Sequence, residues 1–173
     1  MLDLLKVERA VVTDVVREAA GLRTFTIRPG APVSWKPGQF VLISMLGSGE
    51  SAFAISSDSA ERETISFSVQ AVGKNTEALH ELDPGETVGL RGPYGNSFPI
   101  DEWKGKRVYV IGGGIGLAPL RPVIYSLLDR KDEFGSISLV YAAGSPNRPA
   151  GRRSTPPASH PGPTRRCWRA GRA

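Results

Sequence analysis

The sequence predicts an antiparallel β-barrel followed by the opening strand–helix–strand of an α/β domain and then a disordered tail. Three observations carry this reading. Short apolar–polar alternating segments punctuated by turn signals fill the first hundred residues. Near residue 101 the pattern changes to continuous apolar strands around a glycine run and a helical stretch. From residue 146 onward the composition becomes Pro- and Arg-rich, with no Val, Ile, Leu, Phe, Tyr or Met. The expected boundaries are 1–101 for the barrel, 102–145 for the partial α/β domain and 146–173 for the tail.

Within the barrel, residues 4–16 are rich in Val and Leu, and residues 22–28 (LRTFTIR) alternate as a half-buried strand does. Lys36-Pro37-Gly38 marks a turn before a strand at 39–45 (QFVLISM). Further strands are expected at 53–56, at 64–72 (TISFSVQAV) and at 87–91. One helix interrupts the series. Thr76 is expected to cap a turn over 77–82, which Asp83-Pro84-Gly85 ends.

In the second region, residues 107–111 (RVYVI) read as a strand buried on both faces, running into Gly112-Gly113-Gly114-Ile115-Gly116. Residues 117–130 have helical spacing, with Leu117, Leu120, Ile124, Leu127 and Leu128 on one side, and Pro119 in the first turn. Residues 137–141 form the next strand.

Charge and composition exclude several classes. The formal net charge is +5, yet residues 1–145 hold 15 basic and 17 acidic side chains, and 146–173 hold 7 Arg and no acid. The body is therefore slightly acidic. The Arg residues of the tail are not interleaved with aromatics apart from Trp168, so a nucleic-acid partner is not expected. No apolar run is long enough for a membrane span, and no export signal opens the chain. A single Cys leaves neither an internal disulfide nor a cysteine-only metal cluster. A cytoplasmic setting with no membrane partner and no metal is the expectation. The tail cannot bury enough apolar surface to offset its ordering entropy. It reads either as a natural basic arm or, preferably, as out-of-frame translation of GC-rich coding sequence, because it begins where a parallel sheet needs its third strand.

The glycine run is the first candidate site. A strand that ends in glycines and opens a helix presents unpaired backbone N–H groups, and glycine allows a phosphate to approach them. The dinucleotide pattern G-x-G-x-x-G does not fit, because position 117 is Leu. A tight structural turn remains the plain alternative.

VIGGGIGLAPLRPVIYSLL, preceded by RGPYGNSFP, resembles the ferredoxin–NADP reductase superfamily. Within that superfamily the chain is most similar to the gamma subunit of cytoplasmic hydrogenases and sulfur reductases and to the electron-transfer subunit of dihydroorotate dehydrogenase. KPGQF, ESAFAISS and VGKNTEALHEL agree with that group in order and spacing, over about residues 5–145. The resemblance implies a flavin-binding barrel joined to a nucleotide-binding domain. It implies FAD as cofactor, NAD(P)H as co-substrate, and an iron–sulfur or hydrogenase-type partner subunit. The flavin carries the chemistry, and no side-chain acid or base is needed.

Carried over by motif, the resemblance places Phe53 against the flavin ring, with a core role for that residue as the plain alternative. Ala54, Ile55 and Ser56 follow it; Ala54 stands where a Ser or Thr usually bonds the flavin. Ser51 stands where many members have an Arg for the flavin phosphate. Ser68 and Val69 resemble the strand along the flavin edge, and Gly73, Lys74, Asn75 and Thr76 an anion site for the flavin pyrophosphate. Gly112, Gly113, Gly114, Ile115, Gly116, Leu117, Ala118 and Pro119 resemble the nucleotide loop. His80 reads as a surface residue. Tyr141-Ala142-Ala143-Gly144-Ser145-Pro146 resembles a family segment with Arg at the place of Gly144. The late cysteine cluster of many members has no counterpart beyond Cys167.

Overall fold

The computed structural model describes residues 6–142 and the backbone of 166–169. Six strands form the first sheet: β1 (Glu8–Ala19), β2 (Leu22–Pro29), β3 (Phe40–Met45), β4 (Gly49–Ala54), β5 (Ile65–Gln70) and β6 (Thr87–Tyr94). Their order is β4-β3-β6-β1-β2-β5, and all named pairings are antiparallel. An antiparallel bridge between Ile55 and Phe67 joins the two outer strands and closes the sheet into a barrel. The alternation read from the sequence places Phe25, Ile27, Ile43, Ile65, Phe67 and Val69 in the enclosed core, each at most 1% exposed.

β1 runs three residues past its expected end. Its register shifts twice, between Val12 and Asp14 and between Arg17 and Ala19, and irregularities of this kind hide a long strand from a strict period-two reading. The turn into β2 passes through Gly21, whose φ of +68° suits glycine. Gly38 also has positive φ, and a side chain there would press on Phe98 and on the Asn96 carbonyl.

Helix α1 (Lys74–His80) crosses from β5 toward β6. It begins and ends earlier than the sequence indicated: Gly73 is its cap, and Thr76 lies three positions inside. Thr76 Oγ1 accepts from the Val72 and Gly73 N–H groups, both at 3.0 Å, and donates to Gly73 O. The hydroxyl thus caps backward from within the first turn. His80 is not a surface residue. It is 9% exposed, its Nε2 is 2.9 Å from Val69 O, and its ring tilts against Phe25. The helix lies on the end of the barrel, so its last turn faces inward.

The second unit contains β7 (Arg107–Gly113), a 3-10 segment (Gly114–Leu120), α2 (Arg121–Asp129) and β8 (Ser136–Ala142). β7 and β8 are parallel, with Arg107 opposite Ser136 and Gly113 opposite Ala142. The expected helix over 117–130 is therefore 3-10 over 117–120 and α over 121–129, with Pro119 in the 3-10 part and Pro122 near the start of α2. Val123 and Leu127 are buried between α2 and the sheet, joined by Leu120 and Ile124. Leu128, expected on that side, is 49% exposed, one position beyond the apolar stripe.

The expected disordered tail over 146–173 lies mostly outside the described residues. Within it, β9 (Arg166–Arg169) pairs antiparallel with β8.

Candidate functional site

Three aromatic rings run from the barrel core to its rim. Phe25 stacks on Phe67 at 5.9 Å between centroids, and Phe67 stacks on Phe53 at 5.2 Å. Phe25 and Phe67 are fully enclosed, whereas Phe53 on β4, opposite the buried Val41, is half-buried and packs against the core. Core and candidate-site roles therefore meet in this residue: one side of the ring belongs to the barrel, and the rest stays at its surface.

The bridge that closes the barrel sets residues 53–56 beside 66–69. Ser56 N donates to Ser66 O at 2.7 Å. Ala54 and Ser68 are half-buried, but Ile55, Ser56 and Val69 have fully buried side chains, so those three offer only main chain to a ligand. The Ser68 hydroxyl is shared with Thr24 at 2.8 Å, and Val69 O is taken by His80. Ser56 Oγ is buried with no hydrogen-bond partner.

Helix α1 completes this rim. Thr76 occupies the Val72 and Gly73 N–H groups, which leaves the first-turn N–H groups of Lys74, Asn75 and Thr76 without intrahelical acceptors. Asn75 Nδ2 donates to Ser51 Oγ at 2.6 Å, tying the helix to β4. Lys74 Nζ reaches toward Gly47 O at 3.4 Å, across the β3–β4 turn. Next to Ser51, Glu50 forms a two-pronged ion pair with Arg91, whose guanidinium holds the Glu50 carboxyl below the usual range.

The glycine loop leaves β7 at Gly113 and turns through Gly114, whose φ is +51°. A side chain at Gly112 would meet Leu120 at 3.0 Å, so that glycine serves packing. Gly114 and Gly116 face open space. Ala118 is buried, Leu117 and Pro119 are half-buried, and Ile115 is exposed. The Tyr141 hydroxyl donates to Gly114 O at 3.4 Å, bracing the loop from β8. The 3-10 segment touches β5, so the glycine loop and the barrel strand carrying Ser68 and Val69 are neighbours.

The two candidate clusters therefore meet at β5. Sequence reasoning reads His80 as a surface residue, gives the Tyr141 hydroxyl no role and misses the partnership of Asn75 with Ser51. Only the last left a trace, in the short Ser51 that stands where the resemblance implies Arg.

The residues fit a flavin at the barrel rim. Gly73 has an extended backbone that any residue adopts, and a side chain there would meet nothing within 4 Å. Gly116 is likewise unconstrained by packing. Neither glycine is needed by the protein's own backbone, which leaves room for a ligand to approach the chain at both positions. Phe53 supplies a half-buried apolar ring on β4, the strand to which α1 is tied through Asn75 and Ser51. Among the described residues no cluster of His, Cys, Asp or Glu could hold a metal, and no helix is long and apolar enough to cross a membrane.

No family model matches the chain. It is 39% identical over 110 residues to the sulfhydrogenase 1 subunit gamma of Pyrococcus furiosus, covering 64% of this chain and 38% of that one. It is 39% identical over 102 residues to a probable dihydroorotate dehydrogenase B (NAD(+)) electron transfer subunit of Methanopyrus kandleri, covering 58% and 37%. The chain thus spans well under half the length of these relatives. Among solved structures it is similar to phthalate dioxygenase reductase, with a TM-score of 0.71 and 21% identity over 82% of this chain and 45% of that one. Its homologues are thus sulfhydrogenase gamma subunits and dihydroorotate dehydrogenase B electron transfer subunits, and its fold is ferredoxin–NADP reductase-like.

Proposed function

We propose that this chain is the flavin-binding part of an oxidoreductase subunit that moves electrons between NAD(P)H and an iron–sulfur partner, of the hydrogenase and sulfur reductase gamma type. One observation carries the reading: the stack Phe25–Phe67–Phe53 ends half-buried on β4, the strand that α1 reaches through Asn75 and Ser51. FAD is the cofactor, and it supplies the ability to take a hydride from a nicotinamide and release electrons singly. Phe53 covers one face of its ring and excludes water there. Ala54, Ser56 and Ser68 border the ring through their main chain, together with Ile55 and Val69. Gly73, Lys74, Asn75 and Thr76 receive the flavin pyrophosphate with free N–H groups and the Lys74 charge.

NAD(P)H is the co-substrate. The loop Gly112, Gly113, Gly114, Ile115, Gly116, Leu117, Ala118 and Pro119 receives its pyrophosphate, with Gly114 and Gly116 leaving room for close approach. The contact between this loop and β5 supports placing the two cofactors side by side. The relatives are named as subunits of larger enzymes, and phthalate dioxygenase reductase is described as carrying electrons from pyridine nucleotides to a [2Fe–2S] centre. These support an iron–sulfur partner subunit. The lack of any paired cysteine in the sequence supports a cytoplasmic setting.

The test is titration of the purified chain with FAD, followed by visible absorbance. Phe53→Ala should weaken binding well beyond a surface control such as Glu61→Ala. Equal affinities would reduce Phe53 to a core residue, and absence of binding by the unaltered chain would refute the reading.

A further inference from the structure

We propose that Asn75 is a positioning residue: through Ser51 it fixes the rim of β4 and so sets the place of the Phe53 ring. The inference rests on the flavin reading above and goes beyond it by assigning a task to a residue that need not touch the ring.

β4 begins the strand order of the barrel, hydrogen-bonded along its length to β3 alone. Its links to β5 are the bridge at Ile55, beyond its end, and the stacking of Phe53 on Phe67. A strand paired along one edge depends on other contacts for its exact position. The described contact that ties its free side to the helix is Asn75 Nδ2 donating to Ser51 Oγ, a part-buried bond at 2.6 Å between residues 24 apart in sequence. Ser51 and Phe53 are two residues apart on one strand, so their side chains share a face. Whatever holds Ser51 against α1 therefore holds Phe53 on the same side of the barrel wall.

The rest of the Asn75 environment points the same way. Its Oδ1 is buried and has no hydrogen-bond partner. An unsatisfied buried acceptor is costly, so this amide is not a neutral filler, and the bond to Ser51 offsets part of the cost. Asn75 is also fixed from its own side. Thr76, the next residue, locks the first turn of α1 through three hydrogen bonds to Val72 and Gly73. A rigid helix start, a short amide and a short hydroxyl define the spacing between α1 and β4.

The experiment compares Ser51→Ala, Asn75→Ala, the double variant and Ser51→Thr, each reconstituted with FAD. The FAD dissociation constant, the visible spectrum and midpoint potential of the bound flavin, and the melting temperature are read for each. Each single alanine variant should weaken FAD binding by about three- to tenfold and shift the spectrum and potential of the bound flavin. The double variant should do no worse than either single one, because both remove the same bond, and Ser51→Thr, which keeps the hydroxyl, should restore both readouts. Lower melting temperatures with an unchanged flavin spectrum and potential would overturn the proposal in favour of a purely structural bond. Unchanged affinity and spectrum in both single variants would also overturn it, while leaving the flavin reading intact. If Asn75→Ala does not fold, Ser51→Ala breaks the same bond from the strand side and decides alone. If the unaltered chain binds no FAD, the flavin reading falls first and this inference with it.

Discussion

The barrel and the α/β unit bury their apolar residues to different degrees. In the barrel each strand has a neighbour on both sides, β4 and β5 through the bridge between Ile55 and Phe67, and the inner face closes over a continuous core. In the α/β unit, α2 covers one face of the β7–β8 sheet. On the other face Tyr109 is 63% exposed and Ile111 71%, with Val140 opposite Ile111 also exposed. Antiparallel sheets tolerate one wet face, whereas parallel sheets are normally covered on both. The continuous apolar run at 107–111 predicts burial on both faces, but the described residues cover only one. The rim that presents Phe53 is thus built on the better-packed half, and the glycine loop on the sparser one.

The largest expected effect breaks this contrast from the barrel side. Phe67 is fully buried and is the middle ring of the stack. Phe67→Ala should cost about 3–5 kcal/mol of stability, measured by urea unfolding, and should abolish FAD binding. A loss below about 1 kcal/mol would mean the barrel core is not the main source of stability.

Leu127→Ala removes a fully buried side chain from the smaller core. The cost should be about 2–3 kcal/mol, at the lower end for such changes because the site can collapse toward solvent. Hydrogen exchange should rise in β7 and β8 while the barrel amides stay protected. Equal loss of protection in both units would show that they unfold as one.

A smaller effect tests how the α/β unit is fastened. Arg130 pairs with Asp101 at 2.6 Å and Glu133 at 2.9 Å, and Lys104 joins Glu133 at 3.0 Å. Hydrogen bonds from Arg130, then from Lys104, lower the Glu133 carboxyl from 4.5 to about 2, and Arg130 lowers Asp101 as well. Because these folded values lie below the unfolded ones, the network stabilises fully above about pH 5 and its contribution is lost as pH falls toward 2. The groups are exposed, so the effect is modest. Melting temperature should decline less steeply below pH 5 in Arg130→Ala than in the unaltered chain; identical pH profiles would show that the network contributes nothing.

The barrel was legible because its segments alternate cleanly: residues 22–28, 39–45 and 64–72 became β2, β3 and β5 within a few residues at each end. The glycine loop was legible because strand, glycines and helical spacing follow one another without a break. Local signals misplaced the helix starts. Thr76 has the chemistry of a cap but bonds backward from inside the turn, and Pro119 and Pro122 turn the first part of the expected helix into a 3-10 segment. His80 could not be placed, because its burial depends on how α1 lies on the barrel rather than on its neighbours in sequence. The Asn75–Ser51 bond spans 24 residues, and no period or motif encodes a contact at that distance.

The central claim, that flavin binds at the rim formed by β4, β5 and α1, is tested most directly by hydrogen exchange of the chain with and without FAD. The account predicts added protection at residues 53–56, 68–69 and 73–76, and no change at Tyr109 and Ile111 on the bare sheet face. Unchanged exchange at the rim with bound FAD, or protection confined to the bare face, would contradict it.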